Sequence, residues 1–260
     1  MMRALLTAST GMESMQQNID VIANNLANVN TTAFKRSRAN FHDLIYQTLR
    51  APGQNATSGS VIPGGIQIGS GSKLSSVDKM MGKIGSIQQT QNETDMMVMG
   101  QGFFQVEMDD GSIGYTRDGA FRWDNTGRLV TSDGFPVMPE IVKPAGTTKI
   151  VVGYDGTVTG TVNGEKTQMG QLQIANFINP TGLDSQGRNF YKATEASGEP
   201  IVGAPNQNGM GAIYHQQLEG SNVNIVEEMV NMITGQRAYE LNSKVISTGD
   251  QMLQSTAAVR

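Results

Sequence analysis

"VIANNLANVNTTAFKR", Val21 to Arg36, sets four asparagines, Asn24, Asn25, Asn28 and Asn30, into a stretch whose apolar spacing is helical. Asparagine is a mediocre helix former because its side chain competes for backbone hydrogen bonds. A helix that spends this much surface on amides meets something other than water, and what it meets decides the architecture. Upstream, Leu5, Ala8, Met12, Met15, Ile19, Ile22, Leu26 and Val29 follow one another at alternating steps of three and four. That is a sustained heptad stripe.

The last forty residues read as a second helix. Asn224, with Glu227 three residues on, is a capping-box pattern. Val226, Val230 and Ile233 line one face, and the stripe resumes at Leu241, Val245, Thr248 and Met252 after a skip, a stutter that locally unwinds a coiled coil. Gly235 and Gly249 each weaken this helix by roughly 0.5–1 kcal/mol relative to alanine. The simplest partner for each stripe is the other.

Between the helices the texture changes. Asp110-Gly111, Asp118-Gly119, Asp133-Gly134, Asp155-Gly156, Asn163-Gly164 and Asn208-Gly209 separate short runs such as "FFQVEM" and "KIVVGY". "TVTGTVNGEKTQ" predicts a hairpin with a type I′ turn at Asn163-Gly164, and "RAPGQNATSGSVIPGG", Arg50 to Gly65, predicts a long loop or arm. The expected fold class is α+β: N- and C-terminal helices paired as a coiled coil, an extended connector, and an all-β central domain. The expected division is a helical assembly domain over 1–40 with 221–260, a connector over 41–98 with 191–220 that includes a 46–63 insertion, and a β-rich outer domain over 99–190.

Composition fits that plan. A chain of 260 residues with 38 % hydrophobic and 6 % aromatic content, but 31 glycines, suits a loop-rich β body with a thin core. The net charge of -4 argues against a nucleic-acid partner. The one basic cluster, "FKRSR" from Phe34 to Arg38, is expected at a helix end, where cations offset the dipole. The absence of cysteine excludes disulfides and thiol chemistry and suits an oxidising compartment. "MMRALLTASTG" has too short an apolar run for a signal peptide, and nothing approaches a membrane span, so the expectation is no membrane insertion and no cleaved signal.

Reactive constellations do not emerge. His42 and His215 are the only histidines, "GQGFFQ" lacks the third glycine of a dinucleotide fingerprint, and Gly82-Lys83 lacks P-loop spacing. Asp109-Asp110 and Glu227-Glu228 read as a turn and a first helical turn. The expectation is no catalytic residue, no metal, no cofactor, and a protein that is not an enzyme.

The N-terminal helix instead points to a polymer. Up to Phe34 its only charges are Arg3, Glu13 and Asp20, whereas a lone coiled coil solvates its outer face with Glu and Lys. Amides donate and accept at once, so they suit a surface that meets copies of itself. Asn18, Asn24, Asn25 and Asn28 are therefore expected to touch neighbouring subunits. The seam residues are Leu5, Met12, Met15, Ile19, Ile22, Leu26 and Val29 with Val226, Val230, Ile233, Leu241, Val245 and Met252.

"NIDVIANNLANVNTTAFKRSR" resembles the N-terminal signature of the bacterial flagellar rod and hook proteins. "GQGFFQV" resembles the start of their β domain, and "SNVNIVEEMVNMITGQRAYELNSKVISTGDQML" resembles their C-terminal signature. Length and "FHDLIYQTLRAPG" look most like the distal-rod branch, with the proximal rod paralogue next and a secreted glycan-binding β protein with coiled-coil ends a distant alternative. The resemblance implies export by the flagellar type III apparatus and helical assembly into a tube. It implies a drive shaft running from periplasm to outer membrane, with contacts to itself, proximal rod proteins, the hook protein, and the P-ring and L-ring proteins. It also implies that Tyr46 to Pro63, including Arg50 and Pro52, is an insertion associated with rod straightness.

Overall fold

The computed structural model describes residues 2–51, 64–162 and 164–258, and the chain divides into two compact units. The first comprises Met1–Ala27, Ser37–Asp78 and Asn224–Arg260; the second comprises Asn28–Arg36 and Lys79–Val223. A mostly β region thus lies in sequence between an N-terminal and a C-terminal helix, an α+β chain.

The first unit holds both helices, α1 (Met2–Ala27) and α2 (Ile225–Ala258). The cap expected at Asn224 is present: its Oδ1 accepts from the backbone N–H of Val226 at 3.1 Å and of Glu227 at 3.5 Å. Four strands accompany the helices: β1 (Ser37–Asp43), β2 (Gln47–Arg50), β3 (Ile66–Ile68) and β4 (Ser72–Lys79). β1 pairs with β4, and β2 runs antiparallel to β3 with Gln47 opposite Ile68 and Arg50 opposite Ile66. The loop or arm expected over Arg50 to Gly65 is thus flanked by a ladder, with Arg50 ending β2 and Ile66 opening β3. Its middle, with Pro52 and Pro63, lies outside the described residues.

The second unit is built on "FFQV". The strand Phe103–Glu107 is central in a seven-stranded sheet, flanked by Ile113–Thr116 on one side and Ile174–Asn176 on the other. Successive side chains of a strand face opposite sides. Phe104 packs with Val98, Phe121 and Ile213 in one core, and Phe103 with Tyr115, Phe177 and Tyr191 in another. Covered on both faces, this strand reads as a continuous apolar run rather than an alternation. The aromatic pairs meet edge to face, Phe104 and Phe121 with centroids 5.0 Å apart and Tyr115 and Phe177 at 4.8 Å.

A separate antiparallel meander follows, Thr147–Val152, Thr157–Val162 and Glu165–Gln171. Val162 pairs with Glu165, so the expected two-residue hairpin is present; Asn163 itself is outside the described residues. Asp155 Oδ1 accepts from the N–H and hydroxyl of Thr157, and Gly156, at φ 79°, supplies the left-handed residue this turn needs.

The basic cluster departs from expectation. Helix α1 ends at Ala27, before Val29 and well before "FKRSR", and its last turn carries no basic residue. Lys35 is 1 % exposed, and its ammonium lies 2.5 Å from Glu219 Oε1. Arg117 reaches the other oxygen at 3.5 Å, and the Gly85 N–H adds a bond of 3.0 Å to Oε1. A buried carboxylate requires such partners, and this one recruits them from three distant stretches of chain. Burial pushes Lys35 below its ordinary pKa, with Glu219 opposing and Arg117 adding to the depression. Burial likewise lifts the neighbouring Tyr191 to about 12.

At Gly119 glycine serves packing rather than torsion, because a Cβ there would strike the Met96 carbonyl, at the start of the core strand Met96–Met99. Gly119→Ala is expected to lower the stability of the second unit by about 1–3 kcal/mol, the usual cost of overpacking a closed core. A thermal melt of the full chain checks this; an unchanged midpoint would mean the strand yields without cost.

Candidate assembly surface

The two helices pack antiparallel within the first unit. A Cβ on Gly249 would lie 2.8 Å from Leu5 Cδ2, one on Gly11 would lie 2.9 Å from Asn242 Nδ2, and one on Gly235 would lie 3.2 Å from Ile19 Cγ1. Nearer the other end, Asn25 Nδ2 donates to Glu228 Oε2 at 3.0 Å. As α1 advances from Leu5 to Asn25, its partner on α2 retreats from Gly249 to Glu228, nearly residue for residue.

On α1 the stripe is the more enclosed face. Ala8 and Ile22 are buried, and Leu5, Met12, Met15, Ile19 and Leu26 are half-buried. Val29 lies in the turn beyond the helix. The α2 stripe does not meet it. Val226, Val230, Ile233, Leu241, Val245 and Met252 are all exposed, Val226 at 70 % and Leu241 at 65 %. Glu228, Gly235, Asn242 and Gly249, spaced by sevens, face α1 instead, with Ala238 and Ile246 half-buried between them. At 100° per residue Val226, Val230 and Ile233 stand opposite that face, and Leu241, Val245 and Met252 stand on its flank. The correction has a physical cause. Glycine and small polar residues let the large side chains of α1 approach the α2 backbone closely, so the contact needs few large apolar residues from α2.

The asparagines divide as well. Asn25 is 1 % exposed, its Oδ1 accepts from the Ser37 N–H at 2.8 Å, and its Nδ2 donates to the Ser37 carbonyl at 2.8 Å besides Glu228. It is thus committed within its own chain and presents nothing to a neighbour. Asn24 is exposed, Asn18 half-buried, and Asn28 accepts from the Thr31 hydroxyl at 3.2 Å in the turn after the helix. Ser14, a contact the sequence reading missed, is 1 % exposed and bonds the Ser72 hydroxyl and carbonyl at 3.1 and 3.2 Å. The heptad of small and polar residues on α2 was the available signal for its inner face.

A second apolar surface lies on the β2–β3 ladder. Ile45, Tyr46, Leu49, Ile66 and Ile68 are exposed there, Ile45 at 89 %, while Arg50 is half-buried at the end of β2. Beside it a cleft of ≈ 540 Å³ is lined by Arg3, Thr7, Ala8, Ile68, Asn242 and Val245. Exposed apolar surface on this scale marks contact with other molecules. Among the described residues, no group of three or more His, Cys, Asp or Glu is placed to hold a metal ion. No described helix is long and apolar enough to cross a membrane.

Comparison with known proteins covers both ends and the middle. Residues 5–35 match the family described as flagella basal body rod protein, residues 97–160 the flagellar hook protein FlgE/F/G D1 domain, and residues 215–259 the flagellar basal body rod FlgEFG protein C-terminal family. The flagellar basal-body rod protein FlgG of Buchnera aphidicola from Schizaphis graminum is 47 % identical over 98 % of both chains. The protein of that name in Borreliella burgdorferi is 46 % identical over 97 % of both. That of Bacillus subtilis is 38 % identical over 98 % of this chain and 97 % of its own.

Asn25→Ala strips the Glu228 carboxylate and both Ser37 backbone groups of a partner, so it is expected to cost the first unit about 2–4 kcal/mol. Asn24→Ala, at an exposed position, is expected to stay within about 0.5 kcal/mol. Helical circular dichroism of the two full-length variants during denaturation separates them; equal midpoints would deny Asn25 its structural role.

Proposed function

Since this chain belongs to the family of flagellar basal-body rod proteins, we propose that it builds the distal rod, the shaft that carries torque from the motor to the hook. As a rod protein it is a structural subunit of the flagellar basal body, and rod proteins assemble with copies of themselves. The single observation that carries the finer reading is the outward apolar stripe of α2. On a lone chain that stripe is turned the wrong way, toward water. In a homopolymer the same stripe on every copy has a neighbour to meet, and burial there supplies the driving force for growth.

Supporting features complete the picture. The close antiparallel pairing of α1 with α2 suits an inner wall built from the two helices. Asn18, Asn24 and Asn28 supply polar contacts between copies. The exposed apolar ladder of β2 and β3 suits an insertion, Tyr46 to Pro63, that bridges adjacent subunits and keeps the shaft straight. The shaft's partners are the proximal rod proteins, the hook protein and the P-ring and L-ring proteins. The chain reaches them through the flagellar type III export apparatus, between periplasm and outer membrane.

Two experiments bear on this reading. Val230→Asp places a carboxylate on the outward stripe, where the free subunit leaves it in water, so the subunit's melt is expected to shift by less than about 0.5 kcal/mol. Rod growth and motility are expected to fail, because each added copy would desolvate an unpaired charge. Ile22→Asp, by contrast, is expected to disrupt the helix pair of the subunit as well as the rod. Normal rods from the Val230 variant would overturn the assignment of that face. Deletion of Tyr46 to Pro63 is expected to leave assembly intact but curve the polymer in electron micrographs; straight rods would remove the insertion from the account.

A further inference from the structure

Five successive residues between the N-terminal helix and β1 are each bonded, within the second unit, to stretches far away in sequence. Asn189 Nδ2 donates to the Thr32 carbonyl at 3.1 Å, and the Ala33 N–H donates to the Glu219 carbonyl at 2.7 Å. The Phe34 carbonyl accepts from the Asn222 N–H at 3.4 Å. Lys35 Nζ donates to the Glu219 carboxylate and, at 3.0 Å, to the Lys83 carbonyl. The Arg36 N–H donates to Asn222 Oδ1 at 2.7 Å, and its carbonyl accepts from the Met80 N–H at 2.9 Å. Asn222 Nδ2 then closes onto the Met80 and Lys83 carbonyls, each at 3.0 Å. Ala33 is 2 % exposed and holds a φ of 55°, a left-handed conformation that a non-glycine residue keeps only where its surroundings impose it.

From this we infer that the second unit contains a built seat for residues 32–36, and that Glu219 and Asn222 are its positioning residues. The strip is an inserted segment of the β body rather than a tether. The seat also joins the two exits of the chain, because Glu219 and Asn222 lie just before α2 and bond residues that lie just after α1. Both helical ends therefore leave the body from one fixed point, set by the body alone and independent of whether the helices are themselves paired. A subunit whose helices are still unpaired offers them to the growing end of a polymer together, already adjacent.

Amide hydrogen exchange of the soluble full-length subunit, read by mass spectrometry, tests this. The Ala33 and Arg36 amides are expected to exchange within about tenfold of the strand Phe103–Glu107, as members of the same cooperative unit. Glu219→Gln, which leaves Lys35 and Arg117 buried without their counter-charge, is expected to speed exchange in the strip by at least roughly a hundredfold. Asn222→Ala, which keeps the buried charges paired, is expected to speed the Arg36 amide while leaving Phe103–Glu107 unchanged, and it serves should the Glu219 variant unfold the whole body. Exchange of the strip as fast as that of residues 5–20 in a subunit whose helices are open would overturn the inference. So would an Arg36 amide indifferent to the loss of Asn222.

Discussion

A carboxylate with 2 % of its residue exposed cannot stand alone, and Glu219 is the group around which the second unit closes. Its two oxygens need Lys35, Arg117 and the Gly85 N–H at the same time, so three stretches far apart in sequence must be home before the charge is tolerated. Such a cluster adds little net stability over an apolar filling, but removing one member costs about 3–5 kcal/mol. Its contribution is to permit one arrangement and penalise the others. Arg117 extends the constraint into the sheet, donating to the Val98 and Gly100 carbonyls and lying 5.2 Å from the Phe103 ring centroid. The carboxylate, the sheet edge and the core aromatics are thereby fixed together.

The helices follow a different logic. α1 is amphipathic in the ordinary sense, with large apolar residues turned to its partner. α2 is largely inverted, with glycines, Asn242 and Glu228 turned inward beside Ile246, and most of its other valine, isoleucine and leucine residues turned out. The proposed assembly gives that inversion a reason, since in a homopolymer the outward face would meet the next copy. On that proposal the two faces of α2 serve two distances, a close one within the chain and a longer one between chains.

Much of this was legible in the sequence, and the failures have a common cause. The α1 stripe, the Asn224 cap, the turn dipeptides and the hairpin at Gly164 all follow from local rules, and local rules suffice for them. The α2 face was misread because apolar residues were assumed to point at the partner within the chain. That rule fails wherever the apolar surface is reserved for another copy. Lys35 belongs to a basic cluster expected at a helix end, and nothing local reveals a carboxylate some 180 residues away in the sequence. Asn25 and Asn24 are adjacent and alike in sequence, yet one is buried and the other exposed; only the helical phase set by Glu228 distinguishes them.

The glycine contacts of α2 also bear on how the helix pair answers a force along its axis. Leu5 and Ile19 sit over Gly249 and Gly235 as teeth over notches, with Asn242 and Ile246 standing between the notches. A small slip in either direction drives those teeth into side chains, and protein interiors have little free volume to absorb the collision. The two notches are fourteen residues apart, so the next register in which tooth meets notch lies two heptads away, about 21 Å along the axis. It would leave about half of α1 unpaired. Resistance to shear is thus built into the small residues of α2, the same residues that count against it as a helix.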